Sequence, residues 1–213
     1  TNLTAEEGAT QLARFANITN MSQKDFDRLG ASIVDLGNNF ATTEQEIVNM
    51  AMRLAGAGSQ IGLSQGEIMG FATALSSVGI QAEMGGSAFS KAMVRMQVAC
   101  ETGLTDVQKL TKKTGYSLRD LQLMSQNATK DFTELADELG MTKGELQKLV
   151  NSGVDLQNFA DVAGVTSEQF VKAYKEDAAE ALQLFIHGLG NTEKSGESTI
   201  KMLQDMGFTE VRL

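Results

Sequence analysis

Apolar residues recur along the chain with the three- and four-residue spacing that is typical of amphipathic helices. Residues at this spacing lie on one face of an α-helix, and that face packs against the rest of the protein. The clearest example is the run Phe26, Leu29, Ile33, Leu36 and Phe40. The same spacing occurs in segments 68–78, 89–100, 132–139 and 156–162. No segment shows the two-residue alternation of a strand, so the pattern predicts an all-α fold with about ten to twelve helices.

A short sequence unit that can end one helix and start the next recurs along the chain. It consists of glycine, an apolar residue, Ser or Thr, two variable residues, an acidic or amide residue, and a second apolar residue. The hydroxyl can cap the first free amides of a helix, and the acidic or amide side chain can bond back to the amide of the cap. The glycine can adopt the left-handed conformation that closes the preceding helix. The capping residues of the full copies are Ser22, Ser64, Ser117, Thr142 and Thr166, with Asn20 in the glycine position of the first.

The spacing of the caps predicts longer helices in the first part of the chain. Ser22, Thr43 and Ser64 follow one another at intervals of 21 residues. Such an interval leaves room for a helix of about four turns. A further helix is predicted after Gly86. We therefore predict a multi-helix bundle of helical hairpins, with four to five helices, over residues 1–102.

Shorter helices are predicted in the later part of the chain. Candidate caps recur about every twelve residues, at positions 105, 117, 129, 142, 155 and 166. They predict an array of short helices, then a longer helix from Thr166 to about His187 and a short one over residues 197–206. We assign this array to residues 103–213, as a second part that can pack with the first in one domain.

The composition limits the classes of partner. The chain has no proline, and its net charge is −9, from 18 basic and 27 acidic residues. The charge is spread evenly and forms no basic stripe, so the sequence predicts no sequence-specific binding to nucleic acid. The run Ile68–Ala82 is free of charge but too short and too polar to span a membrane. Because the chain begins at Thr1 and its pattern continues to Leu213, we expect a piece of a longer protein.

Residue types that carry catalysis or bind metals are scarce. The one histidine, His187, is predicted near a helix C-terminus, where a histidine is electrostatically favourable. The one cysteine, Cys100, shares an apolar helix face with Phe89 and is predicted to be a core residue. The Ser-x-x-Lys pattern from Ser198 to Lys201 lacks the accompanying motifs of an acyl enzyme. We therefore predict no catalytic residue, no cofactor, no metal site and no enzymatic activity.

A stretch of low charge lies between residues 48 and 82, where Arg53 and Glu67 are the only charged residues. Two interpretations stay open: a helix pair buried on most faces, or a surface for self-association or for a partner. Small residues allow helices to approach closely in either case. The candidate contact residues of the second interpretation are Met52, Ala57, Ile61, Met69 and Ser77.

The same stretch resembles a known family. It contains Phe40-Ala-Thr-Thr-Glu44, Ile47-Val-Asn-Met-Ala-Met-Arg-Leu-Ala-Gly-Ala-Gly58, Ile61-Gly-Leu-Ser64 and Gly85-Gly-Ser-Ala-Phe89. These residues resemble the core region of the tape-measure proteins of long-tailed phages and prophages. The clearest similarity covers residues 28–100, and the end of the chain, from Asp205, also resembles that family.

The resemblance implies a structural module of a tail tape-measure protein. Such a protein acts in tail assembly and length determination and leaves through the tail during genome delivery. The implied partners are other copies of the chain, tail tube or tail tip proteins, and tail assembly chaperones. The implied locations are the virion tail and, during assembly, the host cytoplasm. Two alternatives stay open: a phage-associated cell-wall hydrolase, in which paired carboxylates act without His or Cys, and a helical adaptor.

Overall fold

The fold is built from helices alone in a computed structural model that describes residues 5–77, 79–127, 129–194 and 206–207. The helices are α1 Ala5–Ile18, α2 Phe26–Asn39, α3 Glu44–Gln60, α4 Gln65–Ser77, α5 Ser87–Val98, α6 Leu104–Thr114, α7 Leu118–Gln126, α8 Lys130–Leu139, α9 Lys143–Ala163, α10 Ser167–Glu176 and α11 Ala178–Lys194. A 3₁₀ turn at Gln23–Asp25 precedes α2, and π-helical turns at Ala82–Gly86 and Ala99–Gly103 flank α5. No strand occurs among the described residues, and the predicted all-α fold is confirmed.

The joints between helices have the backbone conformation that the sequence unit requires. In every full copy the residue in the glycine position has a positive φ: 52° at Asn20, and 71–89° at Gly62, Gly115, Gly140 and Gly164. This left-handed conformation turns the following backbone amide towards the preceding helix. At Gly140, for example, the Met141 amide donates to the Ala136 carbonyl over 2.9 Å. Asn20 fits because asparagine adopts this conformation more readily than other side-chain-bearing residues. The predicted helix ends are therefore confirmed at these five joints.

The capping side chains make the predicted hydrogen bonds at most helix starts, but not at Ser22. Thr142 Oγ1 accepts from the Glu145 amide over 3.2 Å, and Glu145 Oε2 accepts from the Thr142 amide over 2.8 Å. Thr129 makes a single bond of this kind, from the Phe132 amide, over 3.4 Å. The reciprocal pair also occurs at Thr43 with Glu46, Ser64 with Glu67, Ser117 with Asp120 and Thr166 with Gln169.

At the remaining joint, Ser22 Oγ accepts from the Lys24 amide over 3.4 Å at the start of a 3₁₀ turn, and the Asp25 carboxylate accepts from Arg28. The predicted reciprocal pair of Ser22 and Asp25 is therefore wrong.

The capping bonds also favour the charged form of three carboxylates. Hydrogen bonds from the capping residue lower the pKa of Glu46, Asp120 and Glu145. The larger contribution comes from the backbone amide at Glu46 and Glu145, and from the Ser117 hydroxyl at Asp120. A carboxylate with a lowered pKa in the folded state adds stability that is present above its unfolded pKa and is lost as pH falls through the folded value. Acid therefore weakens these three helix starts.

We expect Ser64→Ala to lower the free energy of unfolding by about 1 kcal/mol, because the Glu67 amide loses its bond to Ser64 Oγ, which spans 3.3 Å. Urea unfolding followed by circular dichroism measures the loss. The matched control is Ser32→Ala, since Ser32 is exposed within α2 and its hydroxyl only donates to the carbonyl of Arg28 in the same helix. Equal stability of the two variants would show that Ser64 is not a cap.

Two predicted helix starts are wrong. Thr105 lies in the first turn of α6, after Leu104, whose φ of −72° and ψ of −61° are already helical, so the extended cap residue is missing. Asp155 lies inside α9, because that helix continues through Gly153. A Cβ at Gly153 would stand 2.6 Å from Val107 Cγ2, so this glycine allows α6 to approach α9 closely instead of ending a helix.

The predicted long helix from Thr166 to about His187 is also wrong, because it is divided into α10 and α11 at Asp177. Asp177 has an extended backbone, with φ −157° and ψ 110°. Its Oδ1 accepts a hydrogen bond from the Ala179 amide over 2.9 Å, so Asp177 starts α11. The predicted helix over residues 197–206 lies outside the described residues, except for residue 206.

The described residues form two compact units, residues 5–94 with 206–207, and residues 95–194. The division falls within α5. In the first unit, α3 and α4 pack on each other, and α1, α2 and the π-helical turn at Ala82–Gly86 pack against α3. The organisation predicted from the sequence, residues 1–102 and 103–213, stays a prediction, because compactness does not show that either part folds alone.

Helix α9 is the central element of the second unit. It packs against the π-helical turn at Ala99–Gly103 and against α6, α7, α8, α10 and α11. Around its C-terminal half, the Phe159 ring stacks on Phe170 at 6.2 Å and meets Phe185 edge-on at 5.3 Å. A cluster of buried side chains joins its N-terminal half to α6, α7 and α8: Leu110, Leu121, Phe132, Leu135, Ala136, Leu146 and Val150.

Candidate partner surfaces

Four of the predicted contact residues lie on the pair of helices α3 and α4, and Ile61 lies in the joint between them. Thr43 caps the start of α3. Gly62 lies in the joint between α3 and α4, and in the same joint the Leu63 amide donates to the Gly58 carbonyl over 2.9 Å. Gly58 also allows the two helices to approach closely, since a Cβ there would stand 2.9 Å from Ile68 Cγ1. The backbone of this pair is therefore fixed by local bonds and by one glycine contact.

The five candidate residues differ in exposure. Met69 and Ile61 are buried, with 2% and 9% of their surface exposed, so they belong to the core of the first unit in the isolated chain. Met52, Ala57 and Ser77 are half-buried. The structure thus places the five residues on one helix pair and its joint, but not on one exposed face. A partner surface made of these residues stays a prediction.

The low charge of residues 48–82 has two structural sources. One face of each helix is buried, with Leu54 of α3 and Ile68 of α4 fully covered. Charge is also absent from the exposed side of α4, where Gly66, Gly70 and Ala74 follow one another at four-residue intervals. The first source agrees with the buried helix pair, and the second leaves an uncharged face in contact with solvent.

A groove of about 510 Å³ lies between α2 and α4. Leu29, Leu36 and Met69 supply apolar side chains to its walls, and Arg28 and Asp25 form an exposed ion pair, with Nη1 and Oδ1 3.3 Å apart. Its full lining is Met21, Asp25, Arg28, Leu29, Ser32, Asp35, Leu36, Gln65, Gly66, Met69 and Gly70. Sequence analysis found Met69 but not the α2 wall, because the groove brings together helices that are distant in sequence.

Where the structure describes them, the residues considered for catalysis lie on different elements. Cys100 is buried on the π-helical turn after α5, and His187 is exposed on α11, where its Nδ1 lies 3.2 Å from Asn191 Nδ2. Ser198 and Lys201 lie outside the described residues. Among the residues that the structure describes, no group of His, Cys, Asp and Glu side chains could hold a metal ion.

We expect the Cys100 thiol of the native protein to resist an aromatic disulfide reagent at pH 8 and to react fully in denaturant. Burial raises the pKa of Cys100 to about 12, so the reactive thiolate is scarce, and only 3% of the residue is exposed. Absorbance of the released thiolate measures the reaction. If the native protein reacted as fast as the protein in denaturant, the π-helical turn that carries Cys100 would open readily.

These observations define an all-α protein that carries grooves between its helices. A model of the phage-related minor tail protein family matches residues 1–152. Because this match covers more than half of the sequence, the chain belongs to the phage-related minor tail protein family. No curated protein and no solved structure matches the chain.

Family membership supports a structural role in the phage tail and contacts with other tail proteins. The matched residues include 28–100, the segment that carries the resemblance found in the sequence. In the part of the chain that the structure describes, no helix combines the length and apolar character needed to cross a membrane.

Proposed function

We propose that this chain is a structural module of a tail tape-measure protein, which acts in tail assembly and length determination and leaves through the tail during genome delivery. The observation that carries the proposal is the position of the family match, since residues 1–152 enclose the segment that resembles tape-measure cores.

A one-module change in the phage gene tests length determination. The 24 residues from Thr142 to Val165 start at one capping residue and end just before the next, at Thr166, so their tandem duplication keeps a complete joint and leaves the original α9 in place. At 1.5 Å of rise per residue, a fully helical ruler changes by about 36 Å. Electron microscopy of purified virions measures tail length.

The expected result is a lengthening of the tail by about 36 Å with the duplication. Synonymous recoding of the same codons is the matched control for effects on expression. Unchanged tail length with the duplication would contradict length setting by this segment, while the chain would remain a tail protein. Failure of the duplication to form tails would contradict a ruler that tolerates added length and point to an assembly role instead.

We also propose that the uncharged exposed side of α4 contacts other copies of the chain. Ala74→Glu places a charge on this face, where it stays solvated in the monomer and becomes costly once covered. We expect the variant to keep its helical circular dichroism and to lose self-association in light scattering. Ala31→Glu, exposed on α2, is the matched control. A strictly monomeric wild-type chain, or equal loss in both variants, would contradict this contact.

The hydrolase alternative predicts a different result with the same purified protein. Paired carboxylates that cleave glycosidic bonds would clear a suspension of bacterial cell walls. We expect no clearing. A loss of turbidity that is abolished by replacing an acidic residue would favour the alternative over the tape-measure proposal.

A further inference from the structure

The second unit carries a groove of about 460 Å³ that sequence analysis did not indicate. The end of α6, the joint to α7, one residue of α7 and the length of α8 form its walls. The lining residues are Lys113, Thr114, Tyr116, Met124, Asp131, Glu134, Leu135, Glu138 and Leu139. The groove therefore combines helices that come together only in the folded unit.

Apolar side chains and carboxylates alternate along the α8 wall. Leu135 and Leu139 lie one helical turn apart and, with Met124 of α7, supply the apolar part of the lining. Asp131 and Glu138 are exposed beside them. Leu135 belongs to the buried core of this unit and is 8% exposed, so it forms the floor of the groove, whereas Leu139 and Met124 are half-buried and reach its surface. An incoming apolar surface would thus meet apolar side chains bordered by negative charge.

The groove is negatively charged. Three of its lining residues are acidic, and among its described lining residues the one cation is Lys113. Asp131 and Glu138 make no ion pair with any residue that the structure describes. Glu134 contacts Lys130, with Oε1 and Nζ 3.0 Å apart, but both side chains are largely exposed, and such pairs contribute little. Most of the negative charge along α8 is therefore available to a partner.

An aromatic side chain stands at the edge of this groove. The side chain of Tyr116 is exposed, with 45% of the residue accessible to solvent. Its backbone is fixed, because it follows the left-handed Gly115 and its amide donates to Thr114 Oγ1 over 3.3 Å. A tyrosine on a backbone fixed in this way offers contact area at little entropic cost, and exposed tyrosines frequently dominate binding energies. Tyr116 therefore supplies an anchoring contact next to the carboxylates.

We propose that this groove binds a basic amphipathic helix of a partner protein. Apolar residues one turn apart on the partner would cover Leu139 and Met124, while lysine or arginine residues beside them would face Asp131 and Glu138. Helix-in-groove binding uses this spacing of apolar anchors, and complementary charge adds specificity and a faster encounter.

Other ligand classes fit the groove less well. Its carboxylates do not form a group that could hold a metal ion among the described residues. Negative charge disfavours nucleic acid and anionic lipid surfaces. The described residues contain no strand whose edge an extended peptide could join. The proposal goes beyond length determination and stands independently of it.

A designed peptide tests the proposal on the intact chain. The probe is a fluorescein-labelled, end-blocked amphipathic helix made of leucine and lysine, with leucines at helical spacing on one face. Fluorescence anisotropy at physiological salt measures binding, and we expect saturation with a Kd in the micromolar range. A peptide with every leucine replaced by serine keeps the charge and should not bind.

Two variants and one control locate the site. Asp131→Lys with Glu138→Lys should weaken binding about tenfold, because two favourable charge contacts become repulsive. The matched control, Asp161→Lys with Glu180→Lys, makes the same change in net charge at exposed positions of α9 and α11 and should leave the Kd unchanged. Tyr116→Ala should weaken binding about fivefold without changing the charge.

The outcomes separate the groove from general attraction to an acidic protein. Circular dichroism should show native helix content in all three variants, since every changed side chain is exposed. The groove would be overturned as the binding site if the control pair weakened peptide binding as much as Asp131→Lys with Glu138→Lys, or if Tyr116→Ala left peptide binding unchanged. Absence of saturable binding by the wild-type chain would overturn the proposal as a whole. Neither result bears on tail length.

Discussion

Gly188→Ala is expected to lower the free energy of unfolding by about 3 kcal/mol, although it adds a single methyl group. A Cβ at this position would overlap the carbonyl oxygen of Val162 and stand 2.7 Å from its carbonyl carbon. These are backbone atoms at the end of α9, so they cannot turn aside as a flexible side chain would. The methyl group must therefore push α11 away from α9.

The displacement would disturb a well-packed region. On α11, Phe185 lies almost one turn before Gly188 and meets the Phe159 ring of α9 edge-on. Leu182 of the same helix is fully buried. Moving the helix by the distance that a methyl group needs loosens these contacts at the same time, which is why we expect a loss at the upper end of the range for overpacking.

Gly144→Ala is the matched control, because it makes the same substitution on α9 where nothing lies within 4 Å of the added Cβ. Alanine restricts the unfolded chain and favours the helical conformation, so the free energy of unfolding of this variant should rise by about 0.5 kcal/mol. Urea unfolding followed by circular dichroism compares the two. Similar stability of both variants would mean that α11 does not cross α9 as closely as described.

Asp155→Ala is expected to lower the free energy of unfolding by about 2 kcal/mol. Arg95 on α5 donates through Nε to Asp155 Oδ2 over 2.9 Å and through Nη2 to Oδ1, so the pair is bidentate. The Asp155 side chain is 16% exposed and that of Arg95 32%, which weakens screening by water. Removing the carboxylate leaves a half-buried guanidinium without this partner.

Glu176→Ala is the control for Asp155→Ala. Lys172 Nζ and Glu176 Oε1 lie 3.9 Å apart, but both side chains are more than 60% exposed. The free energy of unfolding should therefore fall by only about 0.3 kcal/mol. A double-mutant cycle with Arg95→Met then isolates the coupling between Arg95 and Asp155. A coupling as small as that of an exposed pair would contradict the structural role of this ion pair.

The joints could be predicted from the sequence because their hydrogen bonds are local. A left-handed residue, a capping hydroxyl and a reciprocal carboxylate lie within six positions of one another, as from Gly140 to Glu145. No tertiary contact is needed to make these bonds. Even Asn20 follows the rule, because its position in the unit, and not its identity, indicated the left-handed conformation.

The errors arose where distant residues decide the outcome. Gly153 and Asp155 have the composition of a joint, yet α6 uses the glycine for close packing and Arg95 binds the carboxylate, so α9 continues. At Asp177 a signal was present but unused. Asp177 caps α11 and Glu180 follows three residues later, which is the same unit with an acidic cap in place of a hydroxyl.

The candidate surfaces were less predictable than the fold. Low charge in residues 48–82 indicated packing but could not separate the buried Met69 from the exposed Ala74, since both lie in the same uncharged run. The acidic groove was missed because Tyr116 and Leu139 become neighbours only through the packing of α6, α7 and α8. Its sequence signal was limited to the acidic residues of α8.

Because the hydrogen bonds of each joint join residues that are close in sequence, the joints also affect how the gene can change over generations. At one joint, the amide of Met141 reaches back only five positions, to the Ala136 carbonyl, and at another Val165 reaches Ala160 in the same way. Neither joint needs a remote residue in order to form. An in-frame duplication that runs from one joint to the next therefore preserves every existing helix end, so the gene can gain a whole helix without disturbing the joints. Loss of a helix preserves the joints equally but removes tertiary packing, most of all where the lost helix is α9.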